Sequence, residues 1–150
     1  MAARTSPTDI SDTASHLRTA IVRTSRALRQ EAAVESGLSP TQTAVLASIS
    51  RFGPITPSEL AGIEGVKRPT MTRTLGCLER QGLIERAPDP ADGRSSLVAV
   101  NDAGRERLAR LRRRKSAYLA RRLRKLSPDE VATLTRAAEL LERMWEDERG

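Results

Sequence analysis

Between residues 56 and 100 the apolar positions follow a helical period twice, and two short segments with apolar residues then follow. Residues 56–61 predict a short helix, Glu64-Gly65-Val66 a turn, and residues 68–81 a second helix. Leu83-Ile84-Glu85-Arg86 and Leu97-Val98-Ala99-Val100 then predict two strands, paired around the Pro-, Asp- and Gly-rich segment 87–96. Helix, turn, helix and hairpin in this order make a winged helix-turn-helix. Leu60, Ile63, Val66, Met71, Leu75 and Leu78 fall at spacings that lock the helix crossing from inside. Thr70, Arg73, Gly76, Cys77 and Arg80 are left on the outer face of the second helix. Pro69 suits the first helical position, where its missing N–H has no intrahelical partner, and Gly82 suits a helix exit with positive φ.

The flanking segments are helical by the same criterion. Residues 16–32 repeat Leu17, Ile21 and Leu28, and Ser39-Pro40-Thr41 opens a helix through Val45, Leu46 and Ile49. A long helix from Asp102 shows Leu108, Leu111, Leu119, Leu123 and Leu126. Ser127-Pro128-Asp129-Glu130 then caps a last helix with Val131, Leu134, Ala138, Leu141 and Trp145 on one stripe. The expected fold is mainly α with a small β-hairpin wing. Residues 37–101 would form the winged helix-turn-helix, and residues 1–36 with 102–150 a helical dimerisation region, since a lone chain leaves the terminal stripes uncovered.

A helix projected by such a crossing fits the major groove of double-stranded DNA. Arg73, in the middle of the outer face, offers a planar bidentate donor to a guanine edge or a phosphate, and Thr70 and Thr72 offer hydroxyls or methyls to bases. Lys67, Arg68 and Arg80 are expected to position the helix by phosphate contacts. Arg94, at the wing tip, is expected in the minor groove, whose narrow stretches attract guanidinium groups. Asp92, two residues earlier, would fix the tip by local backbone hydrogen bonds or an ion pair, with Gly93 giving the turn its freedom.

Glu59-Leu60-Ala61, residues 66–73, Leu78-Glu79-Arg80-Gln81-Gly82-Leu83-Ile84-Glu85-Arg86 and residues 89–94 occur in register within a 150-residue frame. Together they resemble the MarR family of bacterial transcription regulators. The resemblance implies a homodimer reading a pseudo-palindromic operator. It also implies repression relieved by a small amphipathic or aromatic ligand in a crevice between the dimer helices and the winged module. Thr56 and Ser58 match the family's helix-start residues, where hydroxyls meet phosphate, although N-capping explains them equally well. No motif marks effector-binding residues.

Composition narrows the alternatives. The net charge is +7, yet residues 54–101 carry six basic and six acidic side chains, while residues 102–126 carry eleven and two. The surplus therefore lies in the helix expected over residues 105–125. That makes a nonspecific or architectural DNA-binding protein the alternative function. No apolar run reaches membrane-spanning length and the first residues hold no leader core, so a cytoplasmic protein without membrane contact is expected. One cysteine and one histidine provide no disulfide framework, zinc set or nucleophile-base pair, so neither an enzyme nor a cofactor is expected. His16 reads as an ordinary helical histidine. Cys77, near Arg73 and Arg80, is the candidate for a redox-responsive regulator, because neighbouring positive charge favours thiol oxidation.

Overall fold

The computed structural model describes residues 7–146. In chain order these form α1 (Pro7–Ser36), α2 (Pro40–Phe52), α3 (Pro57–Glu64), α4 (Arg68–Arg80), β1 (Ile84–Pro88), β2 (Ser96–Val100), α5 (Asp102–Leu123) and α6 (Pro128–Met144). Polar side chains punctuate the helices. Ser39 with Gln42, Thr56 with Glu59 and Ser127 with Glu130 each form a reciprocal capping box, and each is followed by a proline that needs no hydrogen-bond partner. Asn101 caps α5, its Oδ1 accepting the Gly104 N–H at 2.9 Å. Positive φ is supplied by glycine where the chain reverses, at Gly65 after α3 (62°) and at Gly82 after α4 (69°).

The strands are antiparallel and in register from Ile84 opposite Val100 to Pro88 opposite Ser96. Ile55 adds a one-residue third strand, exchanging both backbone hydrogen bonds with Val98. Leu46, Ile49, Leu60, Met71, Leu75, Leu78, Leu83, Val45 and Val98 fill the centre. These are aliphatic or thioether side chains from α2, α3, α4 and the hairpin, and they hold α4 against α2 and α3. The same core takes in Ala32 of α1 and Leu108 and Leu111 of α5. Two arginines of α5 reinforce this link: Arg114 Nε donates to Glu31 O at 3.0 Å, and Arg107 donates to Ser36 O.

The chain forms two compact units, one ending at Lys115 and one beginning at Ser116. The first thus combines residues 37–101 with α1 and the opening turns of α5. The second contains α6, which has no buried residue. Trp145, the chain's single tryptophan, closes α6 with 52% of its surface exposed.

Several expectations change. α1 runs well beyond residues 16–32 at both ends, and α3 continues past Ala61 to Glu64. Both strands are longer than predicted, and α5 stops at Leu123, which leaves Leu126 in the connection to α6. Ile63 does not lock the helix crossing. It is 48% exposed, because α3 ends one residue later and its inner face is already filled by Leu60 and Ala61. Thr74 takes an inner position on α4 instead, its hydroxyl satisfied by Thr70 O at 2.9 Å.

Candidate nucleic-acid interface

The inner face of α4 is set by Met71, Thr74, Leu75 and Leu78, spaced three and four residues apart and all buried. Geometry then sends Thr70, Thr72, Arg73 and Arg80 outward, where all four are exposed, with Gly76 and Cys77 half-buried between them. At 13 residues the helix is about 20 Å long, enough to lie along a major groove. The Arg73 guanidinium makes no hydrogen bond or ion pair with any described residue. Arg80 folds back along the helix, Nη2 lying 3.1 Å from Cys77 Sγ. Thr72 donates to Arg68 O at 3.0 Å, which leaves its methyl and hydroxyl lone pairs for an incoming group.

The start of α4 differs from those of α2, α3, α5 and α6. Lys67, at the N-cap, provides no side-chain hydrogen bond, so the first-turn N–H groups have no side-chain cap. Beside that turn an open cleft of about 280 Å³ is lined by Ser58, Arg68, Thr72, Arg94, Ser95 and Ser96 among others. Four of the residues expected at a DNA surface, from three separate elements, thus share one concavity. Arg68 Nη2 donates to Ser58 Oγ at 3.0 Å, which orients the guanidinium toward the cleft wall.

Thr56 has a different task. Its Oγ1 accepts the Glu59 N–H at 3.2 Å and donates to Glu59 Oε2 at 2.7 Å, and its own N–H donates to the same carboxylate oxygen at 3.0 Å. This is the capping explanation of the residue. The hydroxyl and backbone hydrogen bonds from Thr56 hold the Glu59 carboxyl below its ordinary value of 4.5.

The wing tip is organised by aspartates. Asp92 Oδ1 accepts the Arg94 N–H at 3.0 Å, and Asp89 Oδ1 accepts the Ala91 N–H at 2.9 Å. Ser95 N donates to Asp92 O at 2.9 Å, closing the turn and leaving Arg94 exposed at its apex. The side chain of Asp92 thus fixes the tip locally, as expected. Gly93 contributes less than expected, since its φ is not positive and a Cβ there would meet nothing.

Sequence reading missed two further contributors. Arg86 of β1 bridges Glu79 of α4 at 2.5 Å and Ser96 of β2 at 3.3 Å. Asn101 Nδ2 donates to Gly82 O at 2.8 Å, tying the α4 exit to the start of α5. The reversal at Gly82 brings Arg86 to Glu79, and the hairpin returns Asn101 to Gly82, next to the pairing of Ile84 with Val100.

Among the described residues no group of three or more His, Cys, Asp or Glu side chains could hold a metal ion. No described helix is long and apolar enough to cross a membrane. His16 is exposed on α1.

The MarR family model matches residues 38–96, the span that carries this surface. A helix-turn-helix transcriptional regulator of Mycobacterium bovis is 39% identical over 128 residues, covering 85% of this chain and 89% of its own. The multiple antibiotic resistance protein MarR of Salmonella typhimurium is 40% identical over 98 residues, 65% of this chain and 68% of that protein. Among solved structures, a transcriptional regulator of Thermotoga maritima superposes with a TM-score of 0.80 at 24% identity, covering 92% of this chain and 96% of that one. A mutant of MarR from E. coli superposes with a TM-score of 0.68 at 27% identity, covering 85% and 94%. The exposed outer face of α4, the aspartate-braced wing and these likenesses lead to one conclusion: the chain belongs to the MarR family and is a DNA-binding transcription regulator, not an enzyme.

Proposed function

We propose that the chain acts as a homodimeric repressor that reads a pseudo-palindromic operator, α4 lying in the major groove and the wing in the minor groove. The observation that carries this reading is the unpartnered Arg73 on the outer face of α4, flanked by a cleft where Arg68 and Arg94 converge. Arg73, Thr70 and Thr72 would meet base edges. Lys67, Arg68, Arg80 and Ser58 would meet phosphates, and Asp92 would hold Arg94 at the minor groove. Dimerisation is supported by apolar side chains that a single chain leaves bare, Ile10, Leu17 and Ile21 on α1 and Leu134, Leu140 and Met144 on α6. Two copies would present two reading helices to half-sites ~34 Å apart.

Relief by a ligand is supported by a second cavity of about 190 Å³ between α1, α2 and α5. Ala32, Ala33, Leu38 and Ala47 give it apolar walls, and Arg29 and Lys115 supply positive charge. A cavity of ~150 Å³ accepts one benzene ring, so this one suits a single-ring aromatic carboxylate. The architectural alternative receives less support, because several α5 cations are engaged within the chain: Arg105 with Asp102, Arg113 with Glu106, Arg107 with Ser36 O and Arg114 with Glu31 O. For the redox alternative, Cys77 is only half-buried, and Arg80 lies against its sulfur.

The test is affinity for a duplex selected by the full chain from a random-sequence pool, measured beside a scrambled duplex of equal length. Arg73→Ala is expected to weaken binding to the selected duplex by about tenfold or more and to narrow its advantage over the scrambled one. Equal wild-type affinity for the two duplexes would reject sequence-specific reading.

A further inference from the structure

The reading helix and the wing are joined by an ion pair that touches neither expected DNA surface directly. Arg86 Nε donates to Glu79 Oε1 at 2.5 Å, and Arg86 Nη1 donates to Ser96 Oγ at 3.3 Å. Glu79 stands in the last turn of α4, six residues after Arg73, and Ser96 opens the strand that follows the wing tip and lines the cleft with Arg94. Both charged side chains are about one-third exposed, at 33% and 34%, so they are held at the junction between the two elements.

A two-stranded hairpin is marginal by itself and bends readily, so its direction depends on what pins it. The base of this hairpin is pinned by buried Ile84, Val98 and Val100 and by the two backbone hydrogen bonds between Ile55 and Val98. After Ile84 no β1 residue is buried, and Arg86, opposite Val98, is the one from Glu85 to Pro88 with a hydrogen bond to α4. A partly exposed ion pair adds little to stability. Its effect here is directional.

We propose that Glu79 and Arg86 are positioning residues, which set the angle between α4 and the wing so that Arg73 and Arg94 engage adjacent grooves together. The inference rests on the DNA-reading assignment above. It makes a prediction whose sign is unusual. Glu79 is an anion on a helix that faces a polyanion, so charge alone predicts that its removal tightens binding to any duplex. Positioning predicts weaker binding to the selected duplex and no loss on the scrambled one.

The experiment measures Glu79→Gln, Arg94→Ala, the double variant and the charge-swapped Glu79→Arg/Arg86→Glu chain on both duplexes, with thermal midpoints as a folding control. Glu79→Gln is expected to weaken binding to the selected duplex by about threefold or more, and Arg94→Ala is expected to lose less in the Glu79→Gln background than in the wild type. The charge swap should recover part of the loss. The proposal is overturned if Glu79→Gln tightens both duplexes, or if Arg94→Ala costs the same in both backgrounds. Failure of the underlying assignment is separately visible, because Arg73→Ala and Arg94→Ala would then leave wild-type affinity for the selected duplex unchanged.

Discussion

Gly104 lies so close to Leu83 that a Cβ added to the glycine would stand 2.1 Å from the Leu83 carbonyl oxygen, and 2.7 Å from Val100 Cγ1. The first turn of α5 therefore seats directly on the backbone that links α4 to the wing. Only a residue without a side chain permits that approach. Gly104→Ala is expected to destabilise the fold by about 1–3 kcal/mol, as overpacking does, since the obstacle is backbone rather than a flexible side chain. Urea unfolding monitored by circular dichroism would measure it, and an unchanged midpoint would show that the seat can relax.

The α3 capping box provides a pH dependence with a defined sign. Hydrogen bonds from Thr56 hold the Glu59 carboxyl below its ordinary value of 4.5, so folding favours the ionised form. That contribution is complete above 4.5 and is lost as pH falls through the lower folded-state value. Wild type and Glu59→Gln should therefore differ in thermal midpoint at neutral pH and converge on acidification past 4.5. A difference independent of pH would remove the carboxylate from the account.

Arg94 is expected to act through phosphate or minor-groove potential rather than through fold stability, because its side chain is exposed at a tip held by Asp92. Arg94→Ala should leave the thermal midpoint unchanged and lower the slope of log affinity against log salt by about 1. Asp92→Ala should weaken binding as well by releasing the tip, but leave that slope nearly unaltered, since it removes no cation.

Leu134 gives a clean test of self-association, because it is 47% exposed within the chain and its replacement disturbs no core. Leu134→Glu should retain helicity while shifting the chain from dimer to monomer in sedimentation velocity. Affinity for the selected duplex should fall with it. A monomeric wild type at micromolar concentration would contradict the proposal outright.

Much of this architecture was legible because its boundaries use residues with strong local preferences. Gly65 sits in the expected turn and Gly82 adopts the positive φ its position called for, and Ser39 and Ser127 cap helices as their following prolines suggested. Two short segments with apolar residues around a Pro-, Asp- and Gly-rich stretch marked the hairpin. What escaped was set by tertiary neighbours. Ile63 has the spacing of a core residue but emerges where α3 runs out, and Thr74 enters the core because Thr70 O accepts its hydroxyl. The extra length of α1 also left no periodic signal, because much of it remains exposed.

On the proposed surface, Arg73, Arg68 and Arg94 were readable as exposed cations at predictable places in a known pattern. The partners that orient them were not. Arg68 with Ser58 and Arg86 with Glu79 are separated by ten and seven residues across chain reversals, so no repeat along the sequence announces either contact.

Trp145 stands at the end of α6, in the unit that begins at Ser116, whereas the proposed DNA-reading surface lies in the unit that ends at Lys115. With no other indole in the protein, tryptophan emission excited beyond the absorption of Tyr118 is a private channel for α6. A blue shift on raising protein concentration would report docking of a second copy there, while loss of structure around α4 could pass without any change in colour.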